Sequence, residues 1–154
     1  MVFDEKDLVL RKMKIDDIPT IASWNIQLHL DEGSIPLTLD KAQSRYRDWL
    51  ATNKYSGLVF SIANNMCGYI LFENRLAGND VRSPASIYVR QFFIDEQYRR
   101  FGIGSKAFRE FQKTCIPNGL KINLEANIAN PKAQRFWESL GFQVCEIAYE
   151  LANN

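Results

Sequence analysis

Asp95-Glu96-Gln97-Tyr98-Arg99-Arg100-Phe101-Gly102-Ile103-Gly104-Ser105-Lys106 is the stretch on which the reading of this chain turns. An apolar run from Ile87 to Ile94 ends just before it, and a helical spacing (Ile103, Ala107, Phe108, Phe111, Cys115) begins inside it. A strand therefore passes through two arginines and two spaced glycines into a helix. Glycine lacks the Cβ that would block close approach or forbid positive φ, so successive backbone N–H groups can turn toward one anion. The helix start adds the positive end of its dipole. The segment predicts a pyrophosphate cradle, with Arg99, Arg100 and Lys106 as countercharge.

The pattern G-x-x-x-x-G-K-[ST] is absent. Gly102, Gly104 and Ala107 satisfy G-x-G-x-x-G/A, and Glu125 follows about 20 residues on, which would make a nicotinamide dinucleotide the ligand. The context disagrees. Asp95 to Phe101 separate the strand from Gly102, whereas that fingerprint's first glycine should follow its strand directly.

Upstream, Leu8-Val9-Leu10 reads as a strand, and Asp16 as the N-cap of a helix with Pro19 in its first turn, running to about Leu30. His29 to Thr38 reads as a loop, and Thr38 as the cap of a second helix with the stripe Ala42, Tyr46, Trp49 and Leu50. Leu58–Ile62 and Cys67–Phe72 make a hairpin across Ala63 to Met66, and Asn74 to Ser86 reads as loop. In Ile87–Ile94, Ile87, Val89 and Phe93 share one phase and Phe92 and Ile94 the other, the slip that a β-bulge produces. Downstream, the helix ends near Pro117-Asn118-Gly119, and Ile122-Asn123-Leu124 is a short strand. Asn130-Pro131 opens a helix with a buried stripe of Ala133, Phe136, Trp137 and Leu140, Gly141 caps it, and Phe142 to Leu151 is a final strand. The order β-α-α-β-β-β-α-β-α-β is that of an α+β or mixed α/β sheet.

The 154 residues predict one domain spanning 1–154. Nineteen Lys plus Arg against 18 Asp plus Glu, a net charge of +1, argue against nucleic-acid binding by bulk charge. The positive charge is nevertheless local, with Arg99, Arg100, Lys106, Arg109 and Lys113 on one loop and helix. Cys67, Cys115 and Cys145 form no disulfide framework and read as small core residues, and with a single His they predict no metal site. Met1 to Asp7 lacks an apolar region, and no run approaches the ~20 apolar residues of a membrane span. The expectation is a cytoplasmic protein with neither a membrane nor a nucleic-acid partner.

The loop Arg99-Arg100-Phe101-Gly102-Ile103-Gly104 resembles the [Q/R]-x-x-G-x-[G/A] signature of the GCN5-related N-acetyltransferases (GNAT). Asn130, Ala133, Trp137, Gly141 and Phe142 are similar to a second motif of that family, and the element order is similar too. The resemblance implies a GNAT-like fold, a mixed, mostly antiparallel sheet flanked by about four helices, that binds acetyl-coenzyme A. It implies direct acetyl transfer to an amine, with the fourth and fifth strands splayed so that unpaired backbone grips the pantetheine arm. It assigns coenzyme contacts to Phe92, Phe93 and Ile94, to the loop residues Arg99, Arg100, Phe101, Gly102, Ile103, Gly104 and Ser105, and to Asn130 and Trp137.

Two positions depart from the family pattern. Many relatives place a Glu base on the fourth strand where this chain has Gln91, and Gln accepts no proton. A water then relays the proton to a more distant carboxylate, or the amine binds neutral, or Gln91 orients the substrate, or it is a satisfied polar residue of a central strand. Relatives usually have Tyr where Trp137 stands, and an indole donates a hydrogen bond but no proton. Trp137 either lines the pantetheine tunnel or fills the core, with Tyr88 and Tyr149 as other candidates for the acid. Asp31 and Glu32, between the first two helices, are candidates for holding an acceptor ammonium or form a solvated acidic helix end. The reading is an acetyl-coenzyme A-dependent N-acetyltransferase acting on a small-molecule or protein amine. The alternative is a coenzyme A-binding module with impaired catalysis, and an edge strand near the C-terminus is compatible with a homodimer.

Overall fold

The computed structural model describes residues 4–75 and 85–154. Strands β1 (Leu8–Lys12), β2 (Ser56–Ile62), β3 (Asn65–Arg75) and β4 (Ser86–Ile94) lie side by side in chain order, each antiparallel to the next. A short β5 (Lys121–Asn123) adds to β4 in parallel. Neighbouring residues point to opposite faces, which divides the core in two. Val59, Tyr69, Leu71 and Phe93 pack under α1 (Ile18–Asp31) and α2 (Leu39–Ala51). Phe60, Ile70, Ile87 and Val89 pack under α3 (Ile103–Cys115), with Trp137 and Leu140 of α4 (Pro131–Ser139) and its C-cap against them.

The expected bulge lies in β4. Leu71 pairs with Gln91 and Phe72 with Val89, so Arg90 is the extra residue, and it is exposed. The bulge resets the pleat. Ile87 and Val89 before it, and Phe92 and Ile94 after it, face α3, while Gln91 and Phe93 turn to the α1–α2 face. The β2–β3 hairpin turns on two residues, Ala63 and Asn64, at φ 49° and 67°, rather than on four.

Three expectations are corrected. The first concerns Asp16, which does not cap α1. The helix starts after Asp17, whose carboxylate accepts two 2.8 Å bonds from Arg11 and one from the Lys14 N–H. Those bonds tie β1 to α1 and hold the Asp17 carboxyl below its ordinary value. The second concerns Phe142 to Leu151, which form no strand, because the segment meets no neighbouring strand among the described residues and a strand exists only where its backbone is paired. The third concerns burial: Cys67 is buried but Cys115 and Cys145 are exposed, and the α4 stripe is only partly covered. Of the expected Asn74–Ser86 loop, residues 74 and 75 belong to β3 and Ser86 to β4, and 76–84 lie outside the described residues.

Candidate functional site

The site is built on the point where the sheet opens. β4 pairs with β5 only at Ser86, Ile87 and Tyr88, so from Val89 to Ile94 that edge of β4 has no neighbouring strand among the described residues. Asp95 donates its N–H to Cys67 O on the β3 side (2.8 Å). Backbone groups alternate along a strand, so the N–H and C=O of Phe92 and Ile94 face the open side. The Ile94 carbonyl is engaged there by Arg99 Nε at 2.7 Å. The Phe92 ring leans on Phe136 and Trp137, closing the slot toward α4.

Beyond Ile94 a single helical turn (Glu96–Tyr98) leads into the glycine loop. Arg100 and Gly102 are left-handed, at φ 69° and 74°, and α3 starts at Ile103 with no side-chain cap. The N–H groups of Ile103, Gly104 and Ser105 thus meet no acceptor among the described residues, and they converge at a dipole's positive end. Gly104 is closely packed: a Cβ there would stand 3.3 Å from the Phe136 ring and 3.5 Å from Ile94 Cγ1. Arg99 is a strap rather than a free countercharge, since its guanidinium also bonds Asp31 Oδ2 at 3.0 Å and lies over Phe93. Arg100 is exposed and has no ion-pair partner among the described residues.

On the opposite face, Gln91 is held by two phenols. Its Oε1 accepts from Tyr46 OH (2.5 Å) and Tyr69 OH (3.0 Å), which leaves its amide N–H groups without a partner among the described residues. Burial raises the Tyr46 hydroxyl to about 12 and pushes Tyr69 well up, so both stay protonated and can donate to Gln91. Buried Asn25 of α1 adjoins Tyr69, and its Nδ2 makes no hydrogen bond among the described residues. Sequence reasoning missed Tyr46, Tyr69 and Asn25. The available signal was Tyr46 on the α2 stripe, because a buried tyrosine must still place its hydroxyl.

The remaining candidates separate clearly. Each Asp31 oxygen accepts one hydrogen bond, one from Arg99 and one from Gln27 at 2.8 Å. Glu32 is exposed, yet desolvation on its protein side lifts its carboxyl above the ordinary value, against His29 and with Asp31 adding to the rise. Its charge also reaches Tyr69, so it belongs to the Gln91 end of the molecule. Tyr88 is buried under the Arg75 guanidinium, 3.8 Å from its ring centre, at the last β4–β5 pair. Trp137 sits among Phe92, Phe108, Phe136 and Phe142. Asn130 caps α4 by accepting from Ala133 N–H. Tyr149 lies in the exposed terminal segment. No group of three or more His, Cys, Asp or Glu among the described residues gathers to hold a metal ion.

The chain is similar in fold to a possible acetyltransferase from Clostridium difficile 630 (TM-score 0.79, 21% identity, 96% of this chain and 97% of that one). It is similar also to a predicted acetyltransferase with acetyl-CoA from Clostridium acetobutylicum (TM-score 0.69, 20% identity, 94% and 96%). A third likeness is to the aminoglycoside N-acetyltransferase AAC(6')-Iy in complex with CoA (TM-score 0.73, 14% identity, 95% and 94%). Among curated proteins, none matches. The profile of the acetyltransferase (GNAT) family matches residues 23–142, which takes in most of α1, the opened strand and the glycine loop. With that match over most of its length, the chain belongs to the acetyltransferase (GNAT) family.

Proposed function

We propose that this protein binds acetyl-coenzyme A along the open edge of β4 and transfers the acetyl group to an amine entering from the α1–α2 face. One observation carries the reading: β4 loses its neighbour on the β5 side after Tyr88, and the chain then passes through one helical turn and the glycine loop into a helix start with no side-chain cap. A long ligand with a pyrophosphate at one end and amide groups along its arm fits both features. The backbone of Phe92 and Ile94 would bond the arm, and the N–H groups of Ile103, Gly104 and Ser105 the pyrophosphate, with Arg100 as countercharge. Bound there, the coenzyme supplies an activated thioester.

The chain's own residues then hold the acceptor. Gln91, fixed through its oxygen, presents only N–H donors toward a carbonyl. Glu32 is the carboxylate left to hold the amine and take its proton through water, and its raised value moves it toward that task. Trp137 and Tyr88 serve as walls. The same lock on Gln91 favours the second reading, a coenzyme-binding module without turnover, since no base touches the strand itself.

Calorimetric titration with acetyl-coenzyme A tests the shared premise; absence of binding up to millimolar concentration would remove both readings. Thiol release over a panel of amines separates them. Glu32→Gln is expected to lower turnover about 10- to 100-fold with coenzyme affinity unchanged.

A further inference from the structure

The α1–α2 face around Gln91 is electrically polar. Val89 faces α3, so the alternation of the strand sends Arg90 to the α1–α2 face, and the bulge then returns Gln91 to that same face. Two consecutive side chains of β4 thus stand on one side of the sheet. Arg90 is exposed, and no carboxylate pairs with it among the described residues. Arg45, next to Tyr46 on α2, also lacks an ion-pair partner there and lies over the Trp49 ring, 4.3 Å from its centre. The charges of Arg45 and Arg90 both act on the Tyr46 hydroxyl, which donates to Gln91 Oε1. The Tyr69 hydroxyl, 3.2 Å from that of Tyr46, feels the charge of Glu32 at the C-cap of α1. Positive charge therefore gathers toward Tyr46, negative charge reaches Tyr69, and the Gln91 N–H groups stand where the two hydroxyls meet.

That polarity is complementary to a molecule with an ammonium at one end and a carboxylate at the other. A carboxylate is planar and acceptor-only, so it can take paired N–H bonds from a guanidinium and a further one from an amide. A polycationic amine would instead meet uncompensated guanidinium charge. We propose that the acceptor is an amine that also carries a carboxylate, an amino acid or a close analogue, bound through its carboxylate to Arg90, Arg45 and the Gln91 N–H groups and through its ammonium to Glu32. The assignment rests on acetyl transfer at this face and adds to it the chemical class of the acceptor. The carboxylate takes no part in bond making. The amine nitrogen bonds to the acetyl carbon as the thioester C–S bond breaks, and of the two protons it gives up, one passes through water to Glu32 and the other to the departing thiolate.

The test measures thiol release at saturating acetyl-coenzyme A over the standard amino acids, β-alanine and γ-aminobutyrate, each beside its primary amide, which keeps the amine and removes the negative charge. The expected result is turnover of at least one acid, with its amide poorer in kcat/KM by about tenfold or more. Arg90→Gln should raise KM for that acid by about tenfold or more and leave its amide within about twofold. Arg47→Gln, the same loss of charge at an exposed position of α2, should move neither by more than about twofold. Acids and amides used equally well, or an Arg90→Gln effect shared by both, overturn the acceptor assignment and leave acetyl transfer standing. Coenzyme bound in calorimetry without turnover of any acid overturns it as well, whereas absence of coenzyme binding overturns the transfer reading beneath it.

Discussion

The half of the molecule from β1 to β4 and the half beyond α3 solve the burial problem differently. In the first, Ile21, Ala22, Val59, Tyr69 and Leu71 are wholly inaccessible, and every strand from β1 to β3 is paired along its length. In the second, no residue after Phe111 is fully buried, although Ile122, Phe136, Trp137, Leu140 and Ile147 are all apolar. The boundary runs along β4, paired on its β3 edge from end to end across the bulge and for only three residues on its β5 edge. A domain complete in itself would close both halves. This one is complete where the sheet supports it and open along the β5 side of β4.

The sharpest way to break the contrast is one deletion on each side. Leu71→Ala removes a side chain at 0% exposure and should cost about 2–5 kcal/mol in urea unfolding, because the closed core cannot collapse around the void. Leu140→Ala, on a half-covered helix end, should cost about 1 kcal/mol in dilute protein. Equal costs would mean that the second half is as well packed as the first.

The same division explains what the sequence could disclose. The glycine loop, the bulge and the helix caps at Thr38 and Asn130 are local features, decided by residues a few positions apart, and they were legible. So was the splay, although only through the family resemblance. What was not legible depended on partners in other elements. Asp17 rather than Asp16 bounds α1 and is bound by Arg11 from β1, and Asp31 meets Arg99 68 residues later. Gln91 read as a missing base, but which of its atoms is free was set by Tyr46 and Tyr69 on two other elements. The expected final strand is not formed, since alternation describes what a segment can pair with and not whether a partner strand is there.

A second prediction sharpens the closed half. Asp17 is 6% exposed, and hydrogen bonds from Arg11 hold its carboxyl low, so its contribution is complete above about pH 4, the ordinary carboxylate range. It fades as pH falls through the lower folded value. Asp17→Asn should therefore cost about 1–3 kcal/mol at neutral pH. The gap between variant and parent should narrow steadily in urea titrations taken down to about pH 2. A gap that stays constant would mean that the Arg11 link lends no pH-dependent stability.

A small stability effect in the open half should carry a functional consequence. Gly102 has φ +74° with nothing within 4 Å of the place a Cβ would take, so Gly102→Ala meets no clash and suffers only left-handed strain, about 1–2 kcal/mol. Gly119, at φ +86° and equally uncrowded, carries the same strain in the same half but away from the loop. Both alanine variants should lose a similar few degrees of melting temperature. Only Gly102→Ala should weaken coenzyme binding, about tenfold, because it turns the first N–H groups of α3 away from their convergence point. Equal affinity in the two variants would detach the anion site from the helix start and leave the opening of β4 without its pyrophosphate anchor.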